Sequence, residues 1–85
     1  MTWRVVLGKY AEKQLRRISK KDTERITEAF TRLVADPFGG DIVKLEGQGN
    51  VWRFRVGSYR IIFEPYPKEK LLFVYDIARR TSTTY

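Results

Sequence analysis

The chain has 85 residues, a formal net charge of +7, 42% hydrophobic and 14% aromatic content, and neither cysteine nor histidine. That length sets one domain, 1–85, whose small core buries about 60% of the unfolded surface, and the composition argues against disorder. Without Cys or His there is no disulfide, no thiolate metal site, no imidazole ligand and no imidazole base, so neither metal nor cofactor is expected.

No apolar run reaches the roughly 18 residues of a membrane span, and the first residues do not form a signal peptide; a soluble cytoplasmic protein is the expectation. The basic excess is shared between both halves of the chain. It fits a polyanionic partner, nucleic acid or an acidic protein, and equally a solvated basic surface.

Trp3 to Leu7 (WRVVL) is a short apolar run that predicts a buried first strand. From Lys9 to Ser19 the period turns helical, with Ala11, Leu15 and Ile18 on one stripe and Lys13, Arg16, Arg17 and Lys20 off it. Ser19 to Asp22 is a break with N-cap residues. A second helix follows, with Ile26, Ala29, Phe30, Leu33 and Val34 on its apolar face, and Asp36-Pro37 ends it. So short a break predicts an antiparallel helical hairpin.

Ile42 to Leu45 is a short extended piece, and Gly47 to Asn50 a turn. Val51 to Val56 then alternates, with Trp52, Phe54 and Val56 on one face and Arg53 and Arg55 on the other. Gly57-Ser58 is a two-residue hairpin turn whose first position tolerates positive φ. Tyr59 to Glu64 returns as a strand, with Tyr59, Ile61 and Phe63 facing one way and Arg60, Ile62 and Glu64 the other. Pro65 and Pro67 exclude strand interior from 65 to 69. Lys70 to Ala78 is nearly continuous in apolar residues, the mark of a central strand covered on both faces. The order is β-α-α-β-β-β, an α+β fold with a helical hairpin packed on a curved, mainly antiparallel sheet.

Arg53, Arg55 and Arg60 therefore share the free face of a hairpin, and Arg79-Arg80 follow the last strand. Guanidinium groups are planar forks matched to phosphate oxygens and remain charged at every relevant pH. Several converging on one phosphate stabilise the charge that builds during phosphoryl transfer. Tyr85 adds a ring for base stacking or a phenol for proton transfer. The opposing reading is a solvent face of alternating arginines, with Arg60 paired to Glu64; Trp52, Phe54, Phe63 and Phe73 are assigned to the core. Glu64 and Asp76 are weak acid–base candidates. The chain shows no carboxylate cluster, glycine-rich phosphate loop or Ser/His/Asp set.

The stretch KLEGQGNVWRFRVGSYRIIFE, followed by VYDIARRTSTTY, closely resembles the RelE/ParE superfamily of bacterial and archaeal toxins, more the RelE branch than the ParE branch. The resemblance runs over essentially the whole chain. It implies a RelE-like fold and the toxin of a type II toxin–antitoxin pair: a ribosome-dependent messenger-RNA interferase that enters the vacant A site. Such toxins cut the codon there by metal-free 2′-hydroxyl attack on the adjacent phosphate. By this resemblance Arg53 and Arg55 take the family's basic strand positions, Arg60 its phosphate-binding arginine, Arg80 its late catalytic arginine and Tyr85 its C-terminal tyrosine. Lys13, Arg16, Arg17, Lys20, Lys21 and Arg79 are assigned to RNA and the ribosome. A cognate antitoxin is the implied protein partner, with the toxin monomeric inside the complex and no membrane involved.

Two departures stand out. The best-known members carry lysines where this chain has Arg53 and Arg55, and arginine cannot give up its proton. Arg55 is then a charge stabiliser, and the proton acceptor is Tyr85 or a group of the RNA or ribosome. The sequence also stops at Tyr85, without the helix that often follows in relatives. The alternatives are a ParE-like toxin that inhibits DNA gyrase, a member acting by binding alone, and a plain basic nucleic-acid-binding module.

Overall fold

The computed structural model describes residues 3–36, 42–47 and 49–79. The elements run β1 (Arg4–Leu7), α1 (Lys9–Arg17), α2 (Lys20–Ala35), β2 (Ile42–Lys44), β3 (Trp52–Val56), β4 (Tyr59–Tyr66) and β5 (Leu71–Arg79). One sheet takes the order β1-β5-β4-β3-β2. Among the described residues only β1 and β5 pair in parallel, and the other three pairings are antiparallel. The expected α+β architecture is what forms, with one addition: the extended piece at Ile42 pairs with β3 and makes a fifth strand.

Both helices contribute to a single core on one face of the sheet. Ala11 from α1 and Ile26, Ala29 and Leu33 from α2 are buried against Phe54, Val56, Ile61, Phe63, Leu72, Val74 and Ile77. These helical residues belong to the apolar stripes read from the period of the sequence. Gly8 joins β1 to α1 with its N–H donated to the Val74 carbonyl at 2.9 Å. A Cβ there would lie 3.0 Å from the Phe73 ring and 3.2 Å from the Val74 carbonyl oxygen, so a larger residue would oblige these neighbours to give way.

The α2 N-terminus is fastened twice. Ser19 is its N-cap and accepts from the Asp22 N–H at 3.3 Å. The Asp22 carboxylate in turn accepts from the Tyr59 hydroxyl at 2.9 Å, tying the helix start to β4. Burial, chiefly, together with the hydrogen bond to Asp22, pushes the Tyr59 phenol above its ordinary 10.0.

Three expectations are corrected. First, β4 continues through Pro65, which is buried and registers with Leu72. The β3–β4 ladder ends at the Trp52–Phe63 pair, so no β3 residue is paired at Pro65. The Pro65 carbonyl accepts instead from the Asn50 side chain at 3.4 Å, and the missing N–H falls on that same unpaired side. Second, β5 is covered on one face only: Leu72, Val74 and Ile77 are buried whereas Tyr75 is 40% exposed. Third, Phe73 is half-buried on the face away from the helices, edge-on to Tyr75 with centroids 4.9 Å apart. The apolar run at 70–78 thus hides an alternation that aromatic residues on the open face obscure.

A β-bulge interrupts the β4–β5 ladder between Ile62 and Phe63. The extra residue lies between Val74 and Ile77, and Gln14 of α1 closes the gap. Its Oε1 accepts from the Ile77 N–H and its Nε2 donates to Asp76, both at 2.6 Å. Bulges bend and twist the strand that holds them, and this one lies between the two ends of the open face.

These contacts generate three expected outcomes. Phe63 is fully buried, so Phe63→Ala lowers stability by about 3–5 kcal/mol, read from the urea midpoint. Gly57 has φ +55°, so Gly57→Ala costs about 1–2 kcal/mol in the same measurement. For Tyr59 the sign follows from its raised pKa. The folded state keeps the proton where the unfolded chain loses it, so its stabilisation is complete below pH 10.0 and falls as pH rises toward the folded value. Tyr59→Phe removes that contribution and flattens the alkaline loss of stability; an unchanged alkaline slope in urea titrations refutes this account.

Candidate phosphate-binding face

Gly57-Ser58 turns β3 into β4 with positive φ at the first central residue alone, the glycine-first pattern of a tight hairpin. The turn fixes the register: Val56 faces Tyr59, Arg55 faces Arg60, Phe54 faces Ile61 and Arg53 faces Ile62. Phe54, Val56, Tyr59 and Ile61 are buried beneath the helices. Alternation therefore sends Arg53, Arg55 and Arg60 to the opposite face, where all three are half-buried. Arg55 and Arg60 are a direct cross-strand pair of like charge, an arrangement that destabilises a ladder unless something else favours it.

An additional guanidinium stands near this turn. Arg25 of α2 lies alongside Gly57, its Nη1 3.5 Å from where a Cβ would be. Nothing in the spacing of α2 marks Arg25, which is an exposed polar position; only the packing of the helix over the turn brings it there. Arg80 and Tyr85, the remaining two residues assigned to the chemistry, lie outside the described residues.

The other assigned basic residues are on the helix side. Arg79 faces Tyr59 across β4–β5, its guanidinium 5.9 Å from the ring centroid. It therefore stands on the sheet face opposite Arg55 and Arg60. With Arg17, Ser19 and Asp22 it lines a groove of about 510 Å³ between the helix junction and the end of β5. Lys13 and Arg17 flank a smaller recess of about 250 Å³ beside Tyr10, which is 65% exposed. Arg16 turns the other way, bonded at 2.8 Å to Glu12, and with Lys20 borders a groove that also holds Glu24. Lys20 and Lys21 are exposed in the first turn of α2, the end of a helix that disfavours cations. Among the described residues, the assigned basic side chains thus form two groups on opposite faces of the sheet.

Further along the open face the chemistry changes. Glu64 is held by two phenols. Its Oε1 accepts from the hydroxyls of Tyr75 at 2.5 Å and Tyr66 at 3.1 Å. The bond to Glu64, above all, holds the Tyr75 phenol far above its ordinary 10.0, with the Tyr66 contact and burial adding to it. Among the described residues no group of three carboxylate, Cys or His side chains gathers to hold a metal ion, and no helix is long and apolar enough to cross a membrane.

Residues 5–83 match the family described as the ParE toxin of type II toxin–antitoxin systems. The archaeal RelE of a RelE–RelB complex from Pyrococcus horikoshii OT3 is 31% identical, superimposes with a TM-score of 0.82 and aligns over 98% of this chain and all of its own. The toxin–antitoxin complex RelBE2 from Mycobacterium tuberculosis matches at 15% identity and TM-score 0.84, over 94% of this chain and 100% of its own. Isolated Escherichia coli RelE matches at 14% and 0.82, over 96% and 88%. The last two similarities concern the fold. Among curated proteins none matches the chain in sequence. With the family matched over nearly its full length, the chain belongs to the RelE/ParE toxin superfamily of type II toxin–antitoxin systems.

Proposed function

We propose that this toxin is a ribosome-dependent endoribonuclease that cuts messenger RNA in the A site. The observation that supports it is the Arg55–Arg60 cross-strand pair with Arg53 beside it on the open face. Guanidinium groups set side by side on one face are planar forks matched to the oxygens of a phosphodiester. In the proposed reaction the 2′-hydroxyl oxygen attacks the adjacent phosphorus, the bond to the 5′-oxygen breaks, and a 2′,3′-cyclic phosphate and a 5′-hydroxyl result. One proton leaves the 2′-hydroxyl and one arrives on the departing 5′-oxygen. Arginine keeps its proton, so Arg53, Arg55 and Arg60 act through charge: they bind the phosphate and stabilise the added negative charge on its oxygens. On the family resemblance Arg80 assists the leaving oxygen, and Tyr85 stacks on the cleaved nucleotide or accepts the proton. The basic helix residues meet ribosomal RNA on the opposite side, which makes binding salt-sensitive. The work is done in the cytoplasm.

The same reading includes a cognate antitoxin that neutralises the protein, with the toxin monomeric inside the complex. The 31%-identical archaeal relative is a RelE–RelB complex, and a basic domain of this kind suits an antitoxin segment that folds on binding.

A second reading has its own support: the matching family is described as the ParE toxin of type II toxin–antitoxin systems. A ParE-like toxin would inhibit DNA supercoiling and leave message intact.

Primer extension on translated message separates the two. New A-site cuts are expected with the intact protein, and Arg60→Ala reduces the cleavage rate by about 100- to 1000-fold. Undiminished cutting by the variant, or intact message together with lost supercoiling, overturns the nuclease reading.

A further inference from the structure

The open face carries, beyond its arginines, two large rings directed to solvent. Tyr75 is 40% exposed and Tyr66 37% exposed, on adjacent strands of the same face as Arg60. Neither is loosely held. Both hydroxyls are tied to Glu64 Oε1, and Phe73 meets Tyr75 at an interplanar angle of 72°. Rings fixed this way lose little conformational freedom when another flat group settles on them. Along β4 the outward residues from the hairpin turn are Arg60, Ile62, Glu64 and Tyr66, and Tyr75 lies one strand over, beside the bulge. At strand spacings Tyr75 is roughly 10 Å from Arg60. That is within the reach of one or two nucleotides.

We propose that Tyr75, with Tyr66 beside it, is a base-stacking platform for a nucleotide flanking the phosphate held by Arg53, Arg55 and Arg60. The proposal rests on the nuclease reading and adds to it a positioning site for the RNA strand. Open sheet faces that combine arginines with exposed aromatic rings suit single-stranded RNA, because charge holds the backbone and every base offers a π-face. Charge also sets the direction. Glu64 repels phosphate at the aromatic end, so the backbone stays at the arginine end and the base extends over the rings. The strand then crosses the sheet from β3 toward β5. The Tyr75 hydroxyl is engaged with Glu64, which leaves the ring, and not the hydroxyl, to meet the base.

The test is single-turnover cleavage on ribosomes programmed with a vacant A site. Protein is titrated against a message with an ordinary base, or an abasic ribose, at each position flanking the cut. Tyr75→Val is expected to raise the half-saturating protein concentration at least about fivefold while the saturated rate stays within about twofold. Tyr75→Phe keeps the ring and stays within about threefold of the intact protein. On the message lacking the stacked base, intact protein and Tyr75→Val converge. Thermal melts of both variants establish that they fold. Equal half-saturation of intact protein and Tyr75→Val on every message overturns the proposal, as does a loss in Tyr75→Phe as large as in Tyr75→Val. An intact protein that leaves every message uncut overturns the nuclease reading, and this inference with it.

Discussion

The parity of the β3–β4 hairpin is the constraint from which the rest of the molecule follows. Its two-residue turn, with Gly57 at φ +55°, admits one register, and in that register Arg55 faces Arg60. A slip of one residue would exchange Phe54 and Val56 with Arg53 and Arg55, exposing the apolar set and burying charge without compensation. The burial of Phe54, Val56, Tyr59, Ile61 and Phe63 beneath the helices therefore holds the cations together on the other side. The arginines are thus positioned as a consequence of what the core buries.

The same face is divided by the bulge at Ile62–Phe63. On the turn side its outward residues are basic, and beyond the bulge they are aromatic around Glu64. Gln14 makes the interruption tolerable by satisfying the Ile77 N–H that the irregular ladder leaves over, and it binds Asp76 at the same time. Asn50 does a related job at the far end of β4, donating to the Pro65 carbonyl where β3 is no longer paired. Two side-chain amides thus finish the hydrogen bonding of a sheet that changes partners along its length.

The two basic groups lie on opposite faces, with the core between them. One flat anion cannot meet both. A partner that engages the strand arginines and the helix cations must either enclose the domain or be several times larger than it. A ribosomal cleft fits the second description and an antitoxin that folds around its toxin fits the first, so the proposed target and the proposed inhibitor make similar geometric demands. In the proposed reaction charge chemistry narrows the role of the hairpin further, since guanidinium groups can bind and stabilise an anion but do not exchange protons.

Much of the fold was legible because it depends on local regularities. Alternation placed Arg53, Arg55 and Arg60 on one face, helical period selected Ala11, Ile26, Ala29 and Leu33 for the core, and turn chemistry placed the hairpin at Gly57. Four matters needed the tertiary structure, because they depend on what is adjacent in space. Pro65 sits within a strand only because no β3 residue pairs beside it, and Phe73 leaves the core only because the helices cover one face of β5. Arg25 reaches the turn, and Arg79 stands apart from Arg60, only through the packing of α2 and the pairing of β5. Side-chain parity within a hairpin is a property of the covalent chain; which side of it a helix covers is decided by the fold.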